Sequence, residues 1–416
     1  MPWYPLSPDD TLLEQIFGAH QPENISFYLQ GRYKCIFKAT FAADIKGSHP
    51  PCVARLEVRN EYSIDQATVA SMQQIARSIL PDLVPKTIRT GTATNSAETT
   101  FNFWLTEFVD GDVLEDVWEK LDPDEQNSIA IAIAEAVRKL HRCQLQIGGA
   151  NETKAKNSPG STDFNIDRRL FGGPHTGFLT DGSALIDTIM QRWKLIEDSS
   201  TKHHVSESRG IKIQSNYEDL GSVFIKTSEL EQWPNEAVFC HNDLTPDNII
   251  IKPHTSLDGN SHYELAAIID WELAGFYPPS YELGLQDTYL STRNLRLSFY
   301  LLLKKHLKEL VPRSSSQIAL CKAMDILWES RHRLLNSCFD IPSHIRERFL
   351  ENFCLVRDED PYTGLVHDPN EEGPWDYSKD STDKLQDDVT NEAAGRAFRD
   401  MIGEESPGST LSTSPR

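Results

Sequence analysis

The sequence predicts an α+β protein of two lobes: a small β-rich N-lobe over residues 1–109 and a larger, mainly helical C-lobe over residues 110–356. Three observations carry this. Before residue 109 the apolar residues come in short alternating runs, interrupted by one helix-spaced stretch. After Asp122 the spacing changes to the three-and-four pattern of helices. From Arg357 to Arg416 the chain holds 15 acidic and 6 basic residues, which reads as a solvated, partly disordered acidic tail over 357–416.

The elements follow in order. Ser7-Pro8-Asp9-Asp10 has the residues of a helix start and leads into Thr11–Phe17. Ile25–Leu29 and Tyr33–Phe41 alternate as strands around Gln30-Gly31-Arg32, and Pro51–Val58 reads as a third strand. Asp65–Ile79 places Val69, Met72, Ala76 and Ile79 on one helical face and stops before Pro81. Phe101–Phe108 reads as a further strand, ending at Val109-Asp110-Gly111. Asp122-Pro123-Asp124-Glu125 supplies an N-cap, a first-turn proline and an acid at the third position, and Ile129, Ile133, Val137 and Leu140 continue as a stripe to His141. Ala150–Ser161 and Thr201–Gln214 are polar, the former a loop by composition, and Ser183–Glu197 reads as a helix. Asn248–Lys252 and Tyr263–Asp270 flank Asp258-Gly259-Asn260 and are expected to pair as a hairpin. Helices are expected from Arg293 to Phe353.

Composition narrows the function. A net charge of −21 argues against a nucleic-acid partner, which would demand clustered Lys and Arg. No basic region with a following apolar run opens the chain, and no stretch approaches the roughly 20 apolar residues that span a bilayer, so no membrane role is expected. Seven cysteines without a CxxC pair fit reduced thiols and a cytoplasmic location. Oligomeric state is left open.

The chemistry concentrates in His241-Asn242-Asp243-Leu244-Thr245-Pro246-Asp247-Asn248 and in Ile268-Ile269-Asp270-Trp271-Glu272. Phosphoryl transfer needs a positioned hydroxyl, a metal bridging the phosphates and positive charge over them. Asp243 is the candidate to accept the hydroxyl proton. Asn248 and Asp270 offer the hard oxygens that Mg2+ prefers. Five positions separate Asp243 from Asn248, so one turn of loop, stiffened by Pro246, presents both to one cleft. His241 is expected to brace the loop backbone.

His-x-Asp-x-x-x-x-Asn followed by Ile-Asp-Trp-Glu resembles the signature of the aminoglycoside phosphotransferase and choline kinase-like family, within the protein-kinase-like superfamily, and is most similar to its fungal-type members. Weaker likenesses are Trp104–Gly111 as a hinge, Lys139-Leu140-His141 closing a helix, Gly172-Gly173-Pro174 before a helix and Tyr277-Pro278-Pro279 after the second motif. The resemblance spans about residues 20 to 355. It implies a two-lobed protein-kinase-like fold and an ATP-dependent transfer to the hydroxyl of a small-molecule substrate. By the same resemblance Asp243 is the catalytic base, and Asn248 and Asp270 hold Mg2+. Glu107, Phe108 and Val109 bind adenine through backbone groups, with Thr106 behind them, and Gly31 lies in the loop over the phosphates.

Three departures from the pattern stand out. The strand cation that grips the phosphates is Arg55, in Val53-Ala54-Arg55-Leu56, where Lys is usual; Arg can clamp phosphate bidentately. The helix acid expected to orient it falls on Thr68, which leaves Glu61 and Asp65 as alternative partners. The phosphate loop holds Gly31 alone. These departures motivate an alternative reading, a degenerate kinase-like module that binds nucleotide without turnover. A third reading, a metal-dependent hydrolase ligated by His241, Asp243 and Asp270, would need a further ligand cluster; the adjacent pair His203-His204 sits in a polar segment.

Overall fold

The computed structural model describes residues 6–42, 50–60, 64–143, 170–193, 195, 201–206, 209–255, 261–290, 294, 296–337, 348–359 and 362–372, with a few positions between 384 and 391. Helix α1 (Asp10–Phe17) begins where expected, with the Asp9 carboxylate accepting the Leu12 N–H at 2.9 Å. Strands β1 (Asn24–Gln30), β2 (Lys34–Thr40) and β3 (Cys52–Val58) follow, then helix α2 (Gln66–Ile79), β4 (Thr87–Thr94) and β5 (Thr100–Glu107). The strands form one antiparallel sheet in the order β1-β2-β3-β5-β4. Pleating sends Cys35, Phe37, Ala54, Leu56, Phe103 and Leu105 to one face, where α1 buries Leu12 and Ile16 against them. The opposite face carries Ile36, Arg55 and Trp104, which the register aligns across three strands. Arg55 therefore points away from the small core because its neighbours Ala54 and Leu56 point into it.

Strand β4 has no counterpart in the sequence reading. Its residues, Thr-Ile-Arg-Thr-Gly-Thr-Ala-Thr, bury only Ala93, so no apolar alternation marks it. Helix α2, capped by Asp65, sends Met72 and Ala76 into the large core of the second lobe.

That lobe opens with β6 (Asp112–Val113) and α3 (Leu114–Val117), then α4 (Pro123–His141). The capping box at the start of α4 forms as the sequence predicts, and its stripe of Ile129, Ile133, Val137 and Leu140 is buried. Next come β7 (Gly172–Gly173), β8 (Gly177–Phe178) and α5 (Gly182–Arg192). Strands β9 (Thr201–Ser206), β10 (Gly210–Ser215) and β11 (Ser222–Lys226) form a separate antiparallel sheet. The polar reading of Thr201–Gln214 missed it: Ile211 and Ile213 turn inward while Lys212 and Gln214 stay exposed, a two-residue period hidden by average composition. His203 and His204 thus lie on a strand, pairing in register with Ile213 and Lys212. The loop expected at Ala150–Ser161 lies outside the described residues.

After α6 (Thr227–Leu230) and α7 (Trp233–Glu236), strands β12 (Val238–Cys240), β13 (Ile249–Thr255), β14 (Ser261–Ile268) and β15 (Gly275–Tyr277) build the site. The expected β13–β14 hairpin forms, with Ile250 opposite Ala267 and Lys252 opposite Glu264; its turn residues Asp258-Gly259-Asn260 lie outside the described residues. β12 pairs with β15, joining Cys240 to Gly275. Helices α8 (Pro279–Tyr289), α9 (Leu297–His306) and α10 (Ser315–Ser337) complete the lobe, whose core encloses Trp118, Trp233, Phe239, Trp271 and Phe276. Among the described residues no helix is long and apolar enough to cross a membrane.

The acidic stretch from residue 357 begins inside a hairpin. Strand β16 (Leu355–Glu359) runs through residue 357 and pairs with β17 (Tyr362–His367). Buried Leu355 and Leu365 join a cluster with Leu290, Leu297 and Tyr300, and Arg357 reaches Asp325 at 2.7 Å. Acidity alone suggested solvation, but Arg357 and the apolar residues of the hairpin give it surface to bury.

Candidate active site

The loop after β12 is held by bonds that leave little freedom. His241 is fully buried. Its Nε2 donates to the Ile269 carbonyl at 3.0 Å and its Nδ1 accepts the Asp243 N–H at 3.1 Å, while its ring meets Trp271 edge-on with centroids 4.5 Å apart. Burial pushes its pKa down to about 4, against the pull of Glu282, so the ring is neutral and each nitrogen has one task. His241 braces the loop, as expected, and both its nitrogens are committed away from metal ligation.

Asn242 adopts a left-handed backbone (φ 66°), which Asn tolerates better than most residues. Its N–H and that of His241 both donate to Glu282 Oε1 at 3.0 Å, and its side chain donates to the Leu273 carbonyl at 3.0 Å. Glu282 projects from the first turn of α8, and its other oxygen meets His141 Nε2 at 2.7 Å. Burial disfavours a charge there, yet the bonds from His141 and the Asn242 N–H hold the carboxyl below the usual glutamate range. Neither partner was assigned to the site from sequence, although His141 closed a noted helix. A buried acid 41 positions beyond His241 carries no local signal of its destination.

Pro246–Asn248 forms a single 3-10 turn. It returns Asn248 so that its Nδ2 donates to the Asp243 carbonyl at 2.8 Å. The Asn248 carbonyl in turn accepts the Ile269 N–H at 2.9 Å, fixing the loop beside the end of β14. The next residue, Asp270, is left-handed (φ 61°, ψ 67°), a strained backbone that lifts its carboxylate toward the first lobe. There Arg55 Nη1 meets Asp270 Oδ1 at 3.1 Å. The structure therefore ties the Asp243–Asn248 loop to the strand end that carries Asp270 and sets Arg55 against Asp270.

Arg55 is surrounded by acids. Its Nε and Nη2 donate to Glu57 Oε1 at 3.0 and 2.6 Å, and Nη2 also bonds Glu272. Burial opposes its charge, but Asp270, Glu272 and Glu57 keep it firmly protonated. Burial and Glu272 push the Asp270 carboxyl up, against the pull of Arg55 and Lys34. Lys34 stands 3.9 Å from Glu57, so the β1–β2 turn brings a second cation toward the cleft, one the sequence reading had not selected. Among the described residues the acids paired with Arg55 are Glu57, Asp270 and Glu272, and not Asp65. Asp65 caps α2 through the N–H groups of Ala67 and Thr68, and Thr68 bonds Asp65; Glu61 lies outside the described residues.

Gly31 closes the β1–β2 turn, donating to the Lys34 carbonyl at 2.8 Å and accepting from Leu6 at 2.9 Å. Glu107 ends β5, and Phe108 and Val109 follow it. Glu107 N–H donates to the Lys86 carbonyl and Phe108 N–H to that of Pro51. Lys38 Nζ lies 3.5 Å from the centre of the Phe108 ring, and Val109 packs against the β13–β14 hairpin at Ile250, Ala266 and Ala267.

A β-rich lobe over a helical lobe, with an acid and a carboxamide on one loop and a second acid at the next strand end, defines a protein of kinase-like fold. The chain belongs to the phosphotransferase enzyme family, whose model matches residues 63–292. Solved structures similar to it include the streptomycin–ATP ternary complex of APH(2'')-IIa, 13% identical with a TM-score of 0.41, covering 83% of this chain and 97% of that one. A microcompartment-associated aminopropanol kinase is 13% identical with a TM-score of 0.40, covering 95% and 98%. Spectinomycin phosphotransferase APH(9)-Ia, complexed with ADP and spectinomycin, is 9% identical with a TM-score of 0.39, covering 93% and 97%. No curated protein sequence matches the chain.

Proposed function

We propose that this phosphotransferase is a small-molecule kinase, moving the γ-phosphoryl group of ATP to a substrate hydroxyl. The carrying observation is the bonded unit Asp243–Asn248–Ile269–Asp270 with Arg55 set against its far end. Asp243 accepts the hydroxyl proton as the new O–P bond forms and the bond to ADP breaks. Residues 1–109 form the nucleotide lobe, and residues 110–356 supply the catalytic loop and the acceptor pocket. Backbone groups of Glu107, Phe108 and Val109 receive the base, the Gly31 turn covers the phosphates, and Arg55 and Lys34 offset their charge.

The residues present fit Mg2+. Asp270 and Asn248 offer hard oxygens, and the cleft gathers three carboxylates, Glu57, Asp270 and Glu272, around one guanidinium. Asn248 and Asp270 would hold the ion, which would offset the negative charge that develops on the phosphates. The non-catalytic alternative rests on the absent helix acid and on a phosphate loop with Gly31 alone; Glu57, bonded to Arg55, answers the first of these. A screen of hydroxylated small molecules with Mg2+ and ATP tests the proposal. Turnover that disappears in Asp243→Asn supports it; nucleotide binding with no turnover on any acceptor class favours the alternative.

A further inference from the structure

We infer that Glu57 replaces the helix-borne acid that orients the phosphate-gripping cation in kinase-like sites, which frees that cation from control by α2. The inference rests on the reading of Arg55 as the phosphate ligand. In protein kinases a Lys on the third strand pairs with a Glu on the neighbouring helix, so moving the helix switches the grip on or off. Here the acid lies on the same strand as the cation. Residues two apart on a strand share a face, so Arg55 and Glu57 project together into the cleft. Glu57 Oε1 takes the Nε and Nη2 edge of the guanidinium at 3.0 and 2.6 Å. That fixes the planar fork with Nη1 toward Asp270.

Helix α2 offers a neutral contact in place of an acid. Its first residue, Gln66, donates to Glu57 Oε2 at 3.4 Å. Asp65, at its N-cap, accepts from Ala67 and Thr68. A helix acid can be withdrawn by a swing of the helix; an acid two residues along the same strand stays beside its cation. The grip on phosphate is therefore built in, with no on–off state set by α2.

Calorimetric titration of the full chain with Mg2+ and a non-hydrolysable ATP analogue tests this. Glu57→Gln is expected to weaken binding at least about tenfold, and Glu57→Asp, which keeps the charge, by less. In an Arg55→Ala background Glu57→Gln should cost no more than about twofold, because its partner is gone. Thr68→Ala, at the position where the helix acid is usual, should stay within about twofold of wild type. Thermal melting of each variant establishes that it is folded. Wild-type binding that Glu57→Gln leaves intact overturns the inference alone, as does an equal loss with and without Arg55. A wild-type chain that binds no nucleotide overturns the kinase reading and this inference with it.

Discussion

The side-chain amide of Asn248 donates to the main-chain carbonyl of Asp243 at 2.8 Å, closing the loop between the proposed base and the proposed metal ligand. Its nitrogen is thereby committed, and its oxygen is the end presented to a cation. Asn248→Ala removes both the closure and the oxygen. The Mg2+ concentration for half-maximal turnover should rise by about 10–100-fold. Asn248→Asp should not rescue it, because a carboxylate would then face a carbonyl oxygen. Mg2+ titrations of nucleotide turnover at fixed ATP measure both.

Asp243→Asn separates chemistry from binding. The main-chain bonds of Asp243 to His241 and Asn248 do not involve its carboxylate, so the loop should keep its shape. Loss of a general base is expected to lower kcat by about 100- to 10,000-fold. Affinity for the Mg2+–nucleotide complex should change little. Single-turnover kinetics beside equilibrium titration distinguish the two.

Glu282 is expected to matter more to stability than its distance from the reacting atoms suggests. Glu282→Ala strips the acceptor from two buried N–H groups and the partner from His141. Breaking such a buried pair costs about 3–5 kcal/mol. Glu282→Gln keeps an oxygen for the N–H groups and loses only the charge, so a smaller cost of about 1–3 kcal/mol is expected. Denaturant unfolding of the two variants gives the ordering.

Neutral His241 makes stability depend on pH. Its folded pKa of about 4 lies below its unfolded value of 6.5, so the unfolded chain binds the proton more readily between those limits. The stabilisation is complete above pH 6.5 and is lost as pH falls toward 4, on the order of 3 kcal/mol in all. Glu282, whose carboxyl is lowered, adds a further loss below its own unfolded range. Melting temperature followed from pH 7 to pH 4 should fall steadily, and less steeply in His241→Gln.

The loop and Asp270 were readable because their chemistry sits within a few consecutive residues, and because apolar strands flank them. The β13–β14 pairing followed from the same short range. Glu57 was also within reach: Val53, Arg55 and Glu57 alternate with the buried Cys52, Ala54 and Leu56, so one face of β3 already joined cation and acid. Glu282 was not readable, since only the packing of α8 behind β12 brings it to the loop. Strand β4 is not legible because its threonines give no apolar contrast, and the β16–β17 hairpin is not because its acidic residues outnumber the buried Leu355 and Leu365.

That hairpin supplies the last prediction. Gly364 has φ +76°, and a Cβ placed on it would overlap the Asp287 carboxylate. Asp287 is buried on α8, where it bonds the Tyr300 hydroxyl and faces Lys304 at 3.8 Å and Arg357 at 3.9 Å. Gly364→Ala therefore meets a left-handed backbone cost of about 1–2 kcal/mol. It also displaces a carboxylate from a buried ionic cluster, where breaking a pair costs about 3–5 kcal/mol. Asp287 and Glu282 ride on the same helix, so the disturbance should reach the catalytic loop. Gly364→Ala should melt earlier, be cut faster by trypsin at Arg357 and lose activity, although it lies far along the chain from Asp243. A chain ending at Val356 should show the same defects, because the Arg357–Asp325 bridge and buried Leu365 leave with the hairpin. If residues after 356 were only a solvated extension, that truncated chain would match full-length protein in both melting and turnover.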